Sequence, residues 1–522
     1  MEPPSNPNSI AYSLFLDLPT EIIIGILSLL DGGSLARCRL LSTKFNDIIN
    51  QTSLLQYIIE LQRAGYQDVP LSPIHILDRL ESIRATQRAW ENPRCLVNKK
   101  TFSLPICDHD FPDIISNDGV IILMTHIPTL HSPDTAISKH TRVDLIYVSD
   151  ILDDNWTKSD PLLIESDCLD VYMSLNQKLM IVVESGVPDK PTAVHFKILP
   201  EQKPHPKAQH PTLYLPVHTK TEPRDIFALS VLGDYAFFGT SHLGPSLPET
   251  RLYHWPTGAH IKTWQCNDTL ILPSGHVVNT LFDLDEAGSN YLPRFEVWTF
   301  PTSAQSPSEP TLLATFLLPP LQRHNPPDMP LTLNYLFDRY DAEGHCFKPS
   351  RYTMISISIK DHELFIPLSV FLSQQVITST EHKVHPWKDW GPRHTRLFHS
   401  FNYIAGCGYR ALLSDEILDF TPLPASEVVH TVPPIDLTKD ANPSVPLPHP
   451  TRSYHECTNY TGTCNDWFKD GPPSLPYKCT PIDLPSIYVP RPEPFLFQTA
   501  EGPKLLIFHL EPPEGVLTVV SF

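Results

Sequence analysis

The 522-residue chain has no C-x-x-C pair, no basic run, no apolar stretch of membrane-spanning length, and no G-x-S-x-G, Walker loop, G-x-G-x-x-G or H-E-x-x-H. Each absence excludes something. The 10 cysteines (Cys38, Cys95, Cys107, Cys168, Cys266, Cys346, Cys407, Cys457, Cys464 and Cys479) are scattered, as expected of reduced thiols in cytoplasm or nucleus rather than of a disulfide framework. With Lys+Arg 39 against Asp+Glu 58 the formal charge is -19, which repels a phosphate backbone, so nucleic acid is not an expected partner. The longest apolar run, 22–30, is broken by Ser28 and falls well short of the roughly 20 residues a spanning helix needs. The start MEPPSNPNS lacks the basic residues of a secretory signal, so no membrane step is expected. His455, Cys457, Cys464 and Cys479 have ligand chemistry without the close pairs of a zinc site. Asp153, Asp154, Asp283, Asp285 and Glu286 are carboxylates in expected turns, where they are solvated. Neither metal nor cofactor is expected.

What is abundant is proline: 56 residues, about twice the usual share. That disfavours a helical body and favours short strands joined by many loops. The exception is the stretch 14–49, LFLDLPTEIIIGILSLLDGGSLARCRLLSTKFNDII. Its pattern predicts three short helices. Asp17 is expected to cap the first, with Pro19 where a missing N–H costs nothing and Glu21 near the positive end of the dipole. Leu18, Ile22, Ile26 and Leu29 form one apolar row, Ile23, Leu27 and Leu30 the next, and Asp31, Gly32 and Gly33 are expected to stop the helix. Ser34 is expected to cap a second helix carrying Leu35, Cys38 and Leu41, and Ser42 a third carrying Phe45, Ile48 and Ile49. A unit this small cannot bury so much Leu and Ile by itself. It needs a partner surface.

The order Leu18-Pro19, Glu21, Ile26-Leu27, Leu30, Leu35 and Phe45 followed by Ile48 resembles the F-box, the module by which substrate receptors grip the Skp-type adaptor of a cullin–RING ubiquitin ligase. The family usually has Cys and Trp where this chain has Ser42 and Phe45. The resemblance implies adaptor binding through Leu18, Pro19, Glu21, Ile22, Ile26, Leu27, Leu30, Leu35, Leu41, Phe45 and Ile48, and through the adaptor a link to cullin and RING subunits.

Helical patterns follow at 53–64, with Leu55, Ile58, Ile59 and Leu61 inward and Gly65 as the stop, and after Ser72-Pro73, with Ile76, Leu77, Leu80 and Ile83 inward towards Trp90. Stretches close to SLLQYIIELQRAGY and RLESIRATQRAW recur in the connector of a large group of fungal F-box proteins, which implies a stiff stalk. From about Cys95 the period changes to that of strands, among them 119–124, 178–183, 226–231, 311–317 and 403–412. RLYHWPTGAHIKTW reads as a hairpin like the last of a WD-type blade, and RFEVWTF, VDLIYVS, VHFKILP and EILDF end strands in the same way. An all-β body of this size must hide its sheet edges, which favours a propeller; seven blades are expected.

The expected fold class is therefore α+β multidomain: a disordered 1–13, an all-α F-box at 14–53, connector helices at 54–94, and an all-β propeller at 95–522 with a Pro-rich insertion at about 421–481. HPWKDWGPRHTRLF is the densest aromatic and charged group, and W-G-P followed by T-R resembles a motif of the propeller part of those fungal proteins. Trp387, Trp390, Arg393 and Arg396 are candidates for a substrate-binding surface, but the resemblance favours a structural role, with Arg stacked on Trp to lock a blade. The expected function is a non-catalytic substrate receptor. A hydrolase on a propeller scaffold and a non-degradative adaptor-bound scaffold are the alternatives.

Overall fold

In this computed structural model the described residues are 17–68, 74–91, 98–105, 113–117, 120–128, 139–147, 161–164, 168–174, 177–184, 191–215, 224–242, 248–266, 268–272, 275–287, 290–300, 309–322, 332–335, 347–349, 354–359, 362–379, 381–399, 403–407, 409–413, 416–420, 475, 478–481, 493–499, 502–511 and 514–521. The expected disordered segment 1–13 and most of the 421–481 insertion lie outside them. The chain opens with helices α1 (Thr20–Leu27), α2 (Gly32–Cys38), α3 (Thr43–Gln51) and α4 (Ser53–Arg63). A short strand, β1 (Tyr66–Asp68), and helix α5 (Ile76–Glu91) follow.

The local signals were partly misplaced. Pro19 occupies the N-cap position of α1 with no side-chain cap bond, so Asp17 does not cap it. Asp31, Gly32 and Gly33 do not stop α1; they start α2, because Asp31 Oδ1 accepts the Ser34 N–H at 2.8 Å and Asp31, not Ser34, is the cap. The α3 cap is as expected, with Ser42 Oγ accepting the Phe45 N–H at 3.2 Å. Leu77 is 49% exposed rather than inward, and the inner face of α5 carries Leu80, Ile83, Thr86 and Trp90.

Among the described residues the remainder is mostly strand, arranged as seven sheets of at least four strands in chain order, with short helical pieces at Leu368–Val370, Gln374–Ile377 and Trp387–His394. Sheet I is Asp113–Asn117, Val120–Pro128, Lys139–Tyr147 and Leu162–Ile164. Sheet II is Cys168–Ser174, Leu179–Glu184, Thr192–Ile198 and Thr212–Leu215. Sheet III is Arg224–Leu232, Tyr235–His242, Glu249–His254 and Ala259–Gln265. Sheet IV is Asp268–Leu272, His276–Leu284, Asn290–Thr299 and Thr311–Leu317, extended by Lys383–His385 in parallel. Sheet V is Thr332–Tyr335, Met354–Ile359, His362–Pro367 and Arg396–His399. Sheet VI is Tyr403–Cys407, Arg410–Leu413, Glu416–Asp419 and Lys478–Pro481. Sheet VII takes Glu493–Thr499, Gly502–Glu511 and Glu514–Ser521 from the end of the chain and adds Asn98–Pro105 from before sheet I, paired from Asn98↔Ser521 to Pro105↔Glu514.

Two expectations change here. The run 403–412 is two strands, turning between Cys407 and Arg410. The last residues of the 421–481 region are a strand, since Lys478–Pro481 pairs with Glu416–Asp419; the insertion leaves and re-enters one sheet.

Each consecutive pair from sheet I to sheet VI shares its own core. Val120, Ile122 and Met124 meet Val171, Met173 and Met180; Ile181 and Phe196 meet Phe238 and Trp255; Phe237 and Trp264 meet Val277 and Phe300. Sheets IV and V join through Phe295, Phe316, Ile355 and Leu364, and V and VI through Phe365, Ala411 and Phe420. A repeated bond marks the unit. The N–H of the residue just after the third strand donates to the carbonyl just before the second: Leu199 to Lys178 at 2.8 Å, Trp255 to Asp234 at 3.0 Å, Phe300 to Gly275 at 3.1 Å and Phe420 to Tyr409 at 2.9 Å. All five endings read from the sequence fall on third strands. Trp255 shows why the position is filled by a bulky residue: it is fully buried, stacks on Phe196 at 5.7 Å and donates through Nε1 to the Gly233 carbonyl at 3.0 Å.

Candidate functional site: an exposed apolar face on the helical module

The first four helices enclose one small core of Ile23, Leu27, Leu35, Phe45, Ile48, Ile49 and Leu55. Its corners are fixed by short polar bonds. Asp31 accepts both the N–H and the hydroxyl of Ser34, and the Ser34 N–H is the main reason its carboxyl is held below the usual aspartate range. Gln62 Oε1 accepts the Gly33 N–H at 3.0 Å, tying the start of α2 to α4.

With those side chains turned in, the others on the same helices are left out. Ile22 is 52% exposed, Ile26 39%, Leu29 85%, Leu40 83% and Leu41 59%. Single exposed leucines are ordinary, but five large aliphatics exposed between positions 22 and 41 are candidates for a binding face. The eleven residues that the sequence assigned to adaptor binding therefore divide. Pro19, Glu21, Ile22, Ile26 and Leu41 are on the surface, Leu18 and Leu30 are half-buried, and Leu27, Leu35, Phe45 and Ile48 lie in the module's own core. The buried four hold the face in shape and do not form part of it in this structure. Leu29 and Leu40, the two most exposed, were not among the eleven. Leu29 stood in the apolar row of α1, and that row was the available signal.

Behind this face the connector is joined to the sheets. β1 pairs antiparallel with Phe347–Pro349, and Tyr57 Oη and Arg79 Nη1 both bond Asp68 Oδ1, at 2.9 and 2.7 Å. Arg410 of sheet VI donates to Gln87 Oε1 at 2.5 Å, bonds Asp419 Oδ2 at 3.1 Å, and lies 5.5 Å from the ring of Trp90. Gly65, at φ +76, ends α4 against Tyr409 so closely that an added Cβ would stand 2.7 Å from Cδ2.

The tryptophan candidates are not a surface. Trp387 and Trp390, on the helix Trp387–His394, are each 5% exposed and sit in the core between sheets IV and V, against Phe295, Phe316 and Phe371. Trp390 Nε1 donates to the Leu317 carbonyl at 3.2 Å. Arg396 is also buried; only Arg393 is exposed. Aromatic density reads the same for a hot spot and for a core, and here it is core. Asp283 lies in the strand His276–Leu284 rather than in a turn and bonds Arg294, and Asp285 accepts from Asn290 at 2.7 Å. Asp153, Asp154, His455, Cys457 and Cys464 lie outside the described residues, and among the described residues no cluster of metal-ligating side chains occurs. Also among them, no helix is long and apolar enough to cross a membrane.

Residues 15–59 match the family model described as F-box-like, so the chain carries an F-box-like domain at its N-terminus. No curated protein matches the chain. Solved structures resemble parts of the chain at low identity. Hydrazine synthase of Kuenenia stuttgartiensis is 10% identical with a TM-score of 0.30, covering 52% of this chain and 82% of its own. The β-propeller domain of the Trilobed protease from Pyrococcus furiosus, described as having an open velcro topology, is 8% identical with a TM-score of 0.26, covering 59% of this chain and 88% of its own. The acylaminoacyl peptidase of Pyrococcus horikoshii is 8% identical with a TM-score of 0.28, covering 79% of this chain and 59% of its own.

Proposed function

We propose that this chain is the substrate receptor of a cullin–RING ubiquitin ligase: its F-box-like domain docks a Skp-type adaptor, its connector sets distance and angle, and its sheets, read as the blades of a seven-bladed propeller closed by Asn98–Pro105, present a protein substrate. The observation that carries the first part is the exposed apolar face of Ile22, Ile26, Leu29, Leu40 and Leu41 on a module whose core is already complete. Joining of the connector to sheet VI through Arg410, Trp90 and Gln87 supports the second. Pairing of the first body strand with the last, and the cores shared by consecutive sheets from I to VI, support the third.

In this reading the receptor breaks no bond. It raises the effective concentration of a target lysine at a ubiquitin-charged carrier held elsewhere in the assembly, in the cytoplasm or nucleus. A rigid arm matters because a flexible one dilutes that concentration over the volume it sweeps. The test is affinity capture of the full chain from cells treated with a proteasome inhibitor, set against the variant Leu29→Ala/Leu40→Ala. Adaptor, cullin and RING subunits are expected with the native chain and lost from the variant, while proteins enriched only under inhibitor are the candidate substrates. Equal recovery of the ligase subunits with both chains would overturn the docking assignment.

A further inference from the structure

We propose that Ser42 is a phosphorylation site for an arginine-directed protein kinase, and that the phosphate closes the docking face without unfolding the module. The sequence Arg37-Cys38-Arg39-Leu40-Leu41-Ser42 places guanidinium groups five and three residues before the hydroxyl, and the stretch 32–46 carries Arg37, Arg39 and Lys44 with no Asp or Glu, in a chain whose formal charge is -19. A kinase groove lined with carboxylates binds such paired arginines through bidentate, charge-assisted bonds.

The fold presents the segment rather than hiding it. Arg37 and Arg39 are exposed, Leu40 and Leu41 are 83% and 59% exposed, and Ser42 is only half-buried with extended backbone at φ -159 and ψ 156. Arg39 to Leu41 already lie outside any helix, so the kinase has only the last turn of the seven-residue α2 to release while Leu35 and Phe45 remain anchored on either side. In the transfer, Ser42 Oγ attacks the γ-phosphorus of ATP. The Oγ–P bond forms as the bond to the β,γ-bridging oxygen breaks, ADP leaves with that electron pair, and the hydroxyl proton passes to the kinase's carboxylate base.

The consequences follow from position. Ser42 caps the nine-residue α3, where its Oγ accepts the Phe45 N–H, and a phosphate there faces the positive end of the helix dipole with Arg39 and Lys44 close by in the chain. The module therefore stays folded. The same charge now stands beside Leu40 and Leu41 and would have to be desolvated under any apolar partner. This second consequence rests on the docking reading above.

The experiment treats the full chain with a recombinant kinase selecting arginine at both positions and with ATP, maps the phosphate by mass spectrometry, and measures binding of a purified Skp-type adaptor before and after. Expected are phosphate on Ser42, a rate at least about tenfold lower for Arg37→Ala/Arg39→Ala, and adaptor affinity at least about tenfold lower after phosphorylation with unchanged circular dichroism. A free peptide of residues 35–48 that is phosphorylated while the folded chain is not would overturn the site, as would phosphate on Thr43 in its place. A phosphorylated chain that binds adaptor as before would overturn the switch. If the unmodified chain binds no adaptor, the docking reading fails, and phosphate uptake with its dependence on Arg37 and Arg39 still decides the site.

Discussion

Replacing Leu29 and Leu40 by alanine tests the proposed docking face apart from the module's stability. The two side chains are 85% and 83% exposed, so each offers most of its surface to a partner and little to its own core. Truncation to alanine removes the equivalent of about three methylenes, at about 0.8 kcal/mol each, which at this exposure is about 2 kcal/mol per residue if the partner covers it fully. That is about thirtyfold in Kd for each residue, and about a thousandfold for the pair if the two sites act independently. Folding should change by no more than about 0.5 kcal/mol, because neither residue belongs to the buried cluster. Titration calorimetry against purified adaptor gives the first number and thermal unfolding the second. Ile49→Ala is the contrast: a residue 0% exposed, it should cost about 2–5 kcal/mol of stability and lose binding only by unfolding the module. Binding of the double variant within about threefold of the native chain, with its fold intact, would refute the placement of the adaptor on this face.

Four further outcomes test the supporting structure. Asp31→Ala should cost about 1 kcal/mol through loss of the α2 cap; because the folded carboxyl is held below its usual range, the cap's contribution is complete above the ordinary aspartate pKa and is lost as pH falls through the lowered one, so the gap between native chain and variant should close in acid denaturation scans. Gly391→Ala should disrupt the core between sheets IV and V, since its Cβ would stand 2.1 Å from Trp387 Cε3, and near-ultraviolet circular dichroism should lose tryptophan signal. Arg410→Ala removes contacts to Gln87 and Trp90 and should speed hydrogen exchange in α5 while leaving α1 to α3 unchanged. Burial pushes the Cys168 thiol up to about 12 and the Cys266 thiol up to about 11, so iodoacetamide at pH 8 should label neither until denaturant is added.

What the sequence made legible was what short-range physics controls. The existence of α1 with Ile23 and Leu27 inward, the Ser42 cap and the strand endings RLYHW and RFEVW each depend on a few neighbouring residues, and each lies where its pattern put it, whereas Leu29 and Leu30 fall beyond the end of α1. Less certain were choices between adjacent, chemically equivalent residues. Asp31 and Ser34 are both good caps three apart, and the hydroxyl ended as a donor to the carboxylate. In the run at 403–412, Gly408-Tyr409 has the composition of a two-residue hairpin loop, yet the apolar residues on both sides read as one strand until the pairing of Cys407 with Arg410 divides them.

The side of a residue that faces a partner was the hardest thing to read, because burial in one's own core and burial in someone else's demand the same side chains. Leu27 and Leu29 are chemically identical and two positions apart; one is 3% exposed and the other 85%. The same ambiguity left Trp387 and Trp390 open to a surface or a blade-locking role, and the structure buries both in the core. Resolving it takes the long-range contacts, and these carry a physical consequence of their own. Arg410 is far from Trp90 and Gln87 in sequence, and Phe347–Pro349 is far from β1, so the anchoring of the connector depends on the folded body, and so would the orientation of the proposed docking face. A substitution deep in sheet VI, such as Leu418→Ala at a fully buried position, should therefore loosen the arm as well as the sheet, whereas Leu29→Ala should leave both intact.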